Sequence, residues 1–433
     1  MSKASTIYFL FTCCTISLLS LISCNDNPSQ IGEDYLPENV EFTQIDLPIS
    51  DMTFTSGIAA VSNTSNQLNN AILVGQADDG TVAHSLLTLI ERSDELKDIA
   101  ASSIVRAELR LRTIDYRYGD TNSRRVSFDV VSMEGIFGSN AQWADTLITK
   151  IDNGVTLGTY DGDYLDSSFT YTQLDPTKTA DFLNSYFSLD TVVSNGDSLI
   201  QTQTLRTIAL KAGQSGGMIG AFLGTAILNV PDSLRPTLVV TLADTVIELE
   251  MGVSNWITKL PPSVEVGAGK IVLGAGAPIR THVQFNLDTI PANAVIHSAE
   301  LTFHIVPGEE KSGTTGAVKA LAGYVAGDNP LGSDKYLADV STLFSGFLIG
   351  SRPAADDASL SDTYRFRAFG FVLIRWLRSG STEIANNGLL LALSRNRPEI
   401  ESATLDRVVL YGPDAPEELR PRLRIVYSVQ VKS

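Results

Sequence analysis

Cysteine is nearly absent, with three in 433 residues, and two of them, Cys13 and Cys14, lie inside an apolar run from Ile7 to Ile22. Behind Lys3 that run has the positive start and apolar middle of an N-terminal export segment. Its removal would leave Cys24 as the one remaining thiol, which excludes an internal disulfide framework and makes buried apolar surface carry the fold. The chain is long enough for two domains with real cores. Positive charge is also short: 32 Lys and Arg against 49 Asp and Glu give a formal net charge of -17. No basic stripe exists, so nucleic acid is not an expected partner, because that binding depends on neutralising phosphates. The acidity reads as a device for solubility. After Ile22 no run approaches the roughly 20 apolar residues of a membrane helix, so the body is expected to be soluble. Histidine is limited to His84, His282, His297 and His304. His297 and His304 are an odd number apart in one expected strand and point to opposite faces; without thiols to help, no zinc site is expected.

What is present begins with Leu21-Ile-Ser-Cys24, which resembles a bacterial lipoprotein signal. The resemblance implies cleavage before Cys24 and acyl chains on the new N-terminus. At about 0.8 kcal/mol per buried methylene, such chains would hold the protein on a membrane almost irreversibly. Residues 1–23 are then the signal peptide. Residues 24–41, with Pro28, Gly32 and Pro37, read as a tether. The expected location is the outer membrane of a Gram-negative envelope, lipid-anchored, at the cell surface or on the periplasmic face.

The rest of the chain repeats itself. Ile72-Leu-Val-Gly75 returns as Ile271-Val-Leu-Gly274, 199 positions on, each followed by a histidine opening a strand, His84 and His282. Ile104-Val-Arg-Ala-Glu-Leu109 returns as Ile296-His-Ser-Ala-Glu-Leu301, and Pro231-Asp-Ser-Leu-Arg-Pro236 as Pro416-Glu-Glu-Leu-Arg-Pro421. The copies are placed at residues 42–243 and 244–433. Each alternates with period two, as in Ala107, Leu109, Leu111 and in Ala299, Leu301, Phe303, which is the pattern of strands with one face in a core. Frequent turn residues complete the reading: an all-β chain of two tandem, related β-sandwich or jelly-roll domains with a few short helices. Helices are expected at Lys178–Phe187 and Phe369–Leu377, where apolar residues recur at i,i+4.

Thr281-His-Val-Gln-Phe-Asn-Leu-Asp-Thr-Ile-Pro291, Ala299-Glu-Leu301, Arg375-Trp376, Asn386-Asn-Gly-Leu389 and Arg420-Pro-Arg-Leu423 together resemble the DNRLRE module. That family implies a β-jelly-roll on bacterial surface proteins, often grouped with carbohydrate-binding modules. Copy one keeps the Ala-Glu-Leu strand and the Arg-Pro ending but not the Phe-x-Leu strand with its Ile-Pro turn. Ile31-Gly-Glu-Asp-Tyr-Leu-Pro37, the segment Ile72 to Leu89 and Ile208 to Ile219 are similar to a family of uncharacterised, strand-rich Gram-negative lipoproteins, which implies location and architecture but no activity.

Candidate chemistry is sparse. Gly213-Gln-Ser-Gly-Gly217 has the G-x-S-x-G spacing of a nucleophile elbow, but a strand rather than a helix should follow, so Ser215 is expected in a β-hairpin turn. Asp161, Asp163 and Asp166 lie close enough in sequence to hold one structural calcium, although they depart from the EF-hand spacing. Asp115, Tyr116, Tyr118 and Asp120 are read as a loop in which flat rings beside carboxylates would stack on a sugar and fix its hydroxyls. The leading expectation is a non-catalytic, membrane-anchored binding module for a polysaccharide or a protein partner in the envelope, with no catalytic residue and no cofactor besides that calcium. Two alternatives are a structural or assembly component without a glycan ligand, and a polysaccharide hydrolase using paired carboxylates.

Overall fold

A computed structural model of the chain describes residues 40–58, 71–89, 98–135, 144–187, 189–194, 198–203, 206–214, 217–224, 231–259, 269–275, 279–314, 316–326, 331, 348–354, 361–377, 385–394 and 404–430. Cys24 and Ser215 lie outside these residues. The protein is all-β, with two large antiparallel sheets, each curled about its own apolar core, and three short helices among the described residues.

In the N-terminal lobe the strands Val246–Lys259, Thr237–Leu242, Ile104–Gly119, Met218–Leu223, Ala71–Gln76 and Val82–Leu89 are neighbours in that order, and Val82–Leu89 pairs back onto Val246–Lys259 to close a ring. Val82–Leu89 also leads outward to Arg206–Ala212, Arg125–Glu134 and Val155–Asp163. The strands Arg206–Ala212 and Met218–Leu223 are therefore not partners, because Ala71–Gln76 and Val82–Leu89 stand between them. The two strands flanking Ser215 therefore do not pair as the expected hairpin. The closed arrangement satisfies backbone groups that a free edge would expose. Its interior holds the odd residues Ala107, Leu109 and Leu111 with Phe128, Phe222 and Leu238, as the period-two pattern requires.

The C-terminal lobe runs through Arg422–Gln430, Val295–His304, Thr363–Phe366, Leu348–Ser351, Ala320–Val325, Leu389–Ser394, Ile279–Phe285, Lys270–Gly274 and Arg407–Tyr411. Helices close the lobes at Pro176–Phe187 and Gly370–Leu377, at the equivalent places the spacing indicated. Phe182 and Leu183 enter the first core; Phe369 and Leu373 enter the second. A third helix, Asp145–Asp152, was not expected, and buries Leu147 and Ile151 at i,i+4 spacing.

The pairing divides the chain differently from the boundaries at 42, 243 and 244. Strand Val40–Asp46 pairs with Arg422–Gln430, and Met52–Ile58 pairs with Ile279–Phe285, so residues 40–58 belong to the C-terminal lobe. Conversely Val246–Lys259, just past the expected boundary, pairs with Thr237–Leu242 and Val82–Leu89 in the N-terminal lobe. The two segments are themselves repeats: Met52 and Met251, and Ile58 and Ile257, keep the 199-residue spacing of Ile72 and Ile271. Each copy has given its first strand to the other.

Candidate functional site

The residues expected to bind a sugar build the joint between the lobes instead. Asp115 to Gly119 is not a loop but the end of the 16-residue strand Ile104–Gly119. Period two then places Tyr116 and Tyr118 on one face and Asp115 on the other. The tyrosines are 4% and 3% exposed, whereas Asp115 and Asp120 face solvent. Rings this deeply covered cannot stack on a sugar, and the four residues do not surround a common space. This corrects the glycan-binding expectation at Asp115, Tyr116, Tyr118 and Asp120.

A local irregularity aims the tyrosines. Opposite Met218–Leu223 the register slips, with Thr113 facing Phe222 but Arg117 facing Gly220. Three residues, 114 to 116, therefore stand against Ala221 alone. Such a bulge frees backbone groups and bends the strand. The buried hydroxyl of Tyr164 fills the gap: it lies within hydrogen-bonding reach of the carbonyl oxygens of Ile114, Tyr116 (3.2 Å) and Ala221 (2.5 Å), which share its one proton, and accepts from the Ala221 N–H at 3.3 Å. Burial raises the Tyr164 pKa above the usual tyrosine value, so the hydroxyl keeps its proton. The Tyr164 ring lies against Gly220, where a Cβ would collide with it.

Beyond the bulge, Tyr116 and Tyr118 join Ala71, Leu73, Ile219 and Trp256 in an apolar layer on the outside of the ring, together with Leu405 of the C-terminal lobe. Polar contacts then fix the register between the lobes. The Leu405 N–H donates to Tyr116 Oη at 2.6 Å. The Thr314 N–H donates to the Arg117 carbonyl at 2.9 Å, and the Arg117 N–H donates to Thr314 Oγ1 at 3.1 Å. Gly313, whose N–H is held by Asp406 Oδ1 at 2.9 Å, leaves the space that the Tyr116 ring fills. The segment after the second copy's Ala-Glu-Leu strand thus meets the corresponding segment of the first.

One buried charge pair crosses the joint. Arg407 Nη1 lies 3.8 Å from Asp79 Oδ2, with both side chains largely covered. Tyr118 Oη donates to the same oxygen at 3.0 Å, and Asp79 Oδ1 accepts the Thr81 N–H at 2.9 Å. Burial, and then the Asp79 charge, raise the Tyr118 pKa above its ordinary value, so that hydroxyl also remains a donor. Between Thr81, Tyr118 and Thr258 on one side and Leu405, Asp406 and Arg407 on the other is a space of about 10 Å³, the room of about one water. Asp79, Leu405, Asp406 and Arg407 were not read as functional in the sequence: Asp79 lies in a turn, and residues 405–407 carry no motif.

The other candidates sit apart. Asp161 accepts two hydrogen bonds from Arg125, at 2.8 and 2.7 Å, and Asp166 lies 3.6 Å from Arg117. The Tyr160 hydroxyl donates to the Asp163 carbonyl. Two of the three proposed calcium carboxylates therefore face arginines, and among the described residues no group of three His, Cys, Asp or Glu side chains could hold a metal ion. The histidines bind backbone or a serine. Ala212 donates its N–H to His84 Nδ1 at 2.9 Å, and His282 Nε2 lies 2.6 Å from the Asn387 carbonyl. The two equivalent histidines thus tie their strands to equivalent neighbours. His297 Nε2 is 2.8 Å from Ser428 Oγ, and His304 Nδ1 is 3.2 Å from the Leu419 carbonyl. A cleft of about 240 Å³ lies between residues 292–296 and the Ile374 and Leu377 side of the second helix, below the size usual for small-molecule sites.

No helix among the described residues is long and apolar enough to cross a membrane. No protein-family model and no curated protein matches the chain. Among solved structures it is similar to one described as the structure of the Macrobrachium rosenbergii nodavirus, at 8% identity over 95% of each chain with a TM-score of 0.15, a likeness too slight to carry an argument.

Proposed function

We infer that this chain is a lipid-anchored protein of a Gram-negative envelope whose role is structural or in assembly, acting through protein neighbours rather than through a glycan ligand or catalysis. The observation that carries this reading is the burial of Tyr116 and Tyr118 between the lobes. The aromatic pair best suited to a sugar holds the two halves of the chain together, so the repeat produces one two-lobed body rather than two separate receptors. The -17 net charge keeps such a body soluble and unattached to like-charged surfaces. The lipid-anchor part rests on Cys24 and its preceding residues. From there to the first strand at Val40 is at most about 55 Å of extended chain, enough to hold the body clear of headgroups.

The test is expression of the full chain in a Gram-negative host with labelled palmitate. Label on the wild-type protein and its loss in Cys24→Ser, with release from the membrane fraction, is the expected result. The released body is then applied to a glycan array, where no saturable binding is expected, and is photo-cross-linked on intact cells at Val105 or Phe371, both well exposed, where a discrete protein adduct is expected. Saturable glycan binding, or palmitate label that survives Cys24→Ser, would overturn the reading.

A further inference from the structure

The crossing of first strands between the copies reaches beyond a rule about boundaries. Residues 40–58 form an arm whose ladders run to the C-terminal lobe: Val40 to Asp46 stand opposite Gln430 to Arg424, and Met52 to Ile58 opposite Phe285 to Ile279. The bend between the two arm strands is pinned by Leu47 N–H to the Leu423 carbonyl at 2.8 Å and Asn286 N–H to the Asp51 carbonyl at 2.7 Å. Leu47 and Met52 enter the second core, and Ile45, Ile49 and Phe54 pack against it. The next described strand after Met52–Ile58 is Ala71–Gln76, in the other lobe. In the N-terminal lobe the equivalent seat, beside Thr237–Leu242 and Val82–Leu89, is filled by the equivalent arm, Val246–Lys259, which comes from the second copy.

Two copies of one domain have therefore traded the same element inside one polypeptide. The traded arms take topologically corresponding places in the two lobes, each bridging the corresponding two strands, so which copy supplies an arm is left to connection and local concentration. A seat whose arm has left presents two strand edges with open N–H and C=O groups beside apolar core residues, which is a template for adding an extended strand. We propose that the seat formed by strands 279–285 and 422–430 also takes residues 40–58 from a second copy of this chain, so that two molecules held close together exchange arms reciprocally and form a strand-swapped dimer.

Gln44 stands opposite Val426 on the outward side of this ladder. Antiparallel partners have Cα atoms about 4.5 to 5.5 Å apart, within the range a disulfide bridges. The experiment uses the full chain with Cys13, Cys14 and Cys24 changed to Ser, in two differently tagged forms, one carrying Gln44→Cys and the other Val426→Cys. The forms are mixed at high concentration, warmed to open the arm, cooled and oxidised. Exchange gives a covalent dimer containing both tags on a non-reducing gel, and gives none when Val426→Cys is replaced by Glu417→Cys, an exposed position away from the ladder. A chain carrying both Gln44→Cys and Val426→Cys reports on the geometry. If that chain closes its internal disulfide completely while the mixture stays monomeric, the arm is private to its own molecule and the proposal is overturned.

Discussion

Acid should weaken this protein in a window set by one buried ring. His84 is 6% exposed, its Nδ1 accepts the Ala212 N–H, and its pKa is pushed down to about 4, first by burial and then by the nearby Lys211 charge, against a smaller opposite pull from Asp152. Lys211 and Asp152 are themselves paired at 2.8 Å. The sign follows from proton counting. Below the ordinary value near 6.5 the unfolded chain takes up a proton that the folded chain refuses until about pH 4, so acid favours unfolding through that interval and no further below it. The shift corresponds to about 3 kcal/mol in full, of which about 2 kcal/mol is lost by pH 5. Carboxylates elsewhere titrate too, so the assay is a difference. Urea unfolding is measured at pH 7.5 and pH 5.0 for the wild type and for His84→Gln, whose side-chain oxygen can accept the same N–H without titrating. The wild type should lose about 2 kcal/mol more than the variant over this range. In proton NMR, one of the four histidine rings should keep its neutral shifts down to about pH 4. Equal acid sensitivity of the two proteins would refute the reasoning, since the ring would then not be the proton-refusing group.

The joint between the lobes supplies further tests. Gly313→Val puts side-chain atoms into the Tyr116 ring and the Arg117 carbonyl, and limited proteolysis should show the lobes parting while each keeps its β circular dichroism. Asp79→Ala leaves Arg407 and the Tyr118 hydroxyl without their shared buried acceptor; a loss of roughly 3 to 5 kcal/mol in urea unfolding is expected, as for other broken buried pairs. Replacing both partners with apolar residues, Asp79→Leu with Arg407→Met, should cost less than Asp79→Ala alone, because no charge is then stranded. Excised residues 71–259 carry every strand of the closed ring and should unfold cooperatively in urea. Residues 42–243 lack Val246–Lys259 and carry an orphan arm, and should instead aggregate or unfold without a sharp transition.

Much of the fold could be read before any coordinates, because strand faces against a core leave a period-two trace. Ile72 and Ile271 lie in equivalent core strands, as their matching positions suggested. The two end helices appear where Phe182, Leu183 and Leu373 recur at helical spacing. The misreading of Tyr116 and Tyr118 came from treating a polar, aromatic stretch as a loop. A signal was present: apolar residues fall on odd positions from Ala107 to Leu111 and on even positions from Ile114 to Tyr118. That change of face marks where the strand stops facing its own core and begins to face the other lobe. What covers the new face, Leu405 with Arg407 and Gly313, lies some 200 to 290 residues away, and no local pattern announces such a contact.

The failed domain boundary has a different origin. Repeats in a sequence reveal which segments are alike, but two like segments fit two like seats equally well, so similarity is silent about which fills which. Met251 to Ile257 lie along the strand of His84 and Met52 to Ile58 along the strand of His282, with the same methionine-to-isoleucine spacing, although Ile257 stands opposite His84 and Ile58 opposite Ile279. The assignment is set by connection and by the joint. Leu405 and Arg407 lie against Tyr116, Tyr118 and Asp79, so the lobes meet at this joint, and an arm that leaves one lobe enters the lobe it touches. Crossing the arms then makes each lobe need the other's chain. Neither expected half should fold alone, whereas a variant that disturbs only the joint should break the charge pair and leave the exchanged ladders in place. The discriminating variant is Gly313→Val, which disturbs the joint but leaves both arms untouched. If its arms stay seated, as read by closure of the Gln44→Cys and Val426→Cys disulfide, the ladders hold without the joint. If closure is lost as well, the joint is what keeps the arms in place.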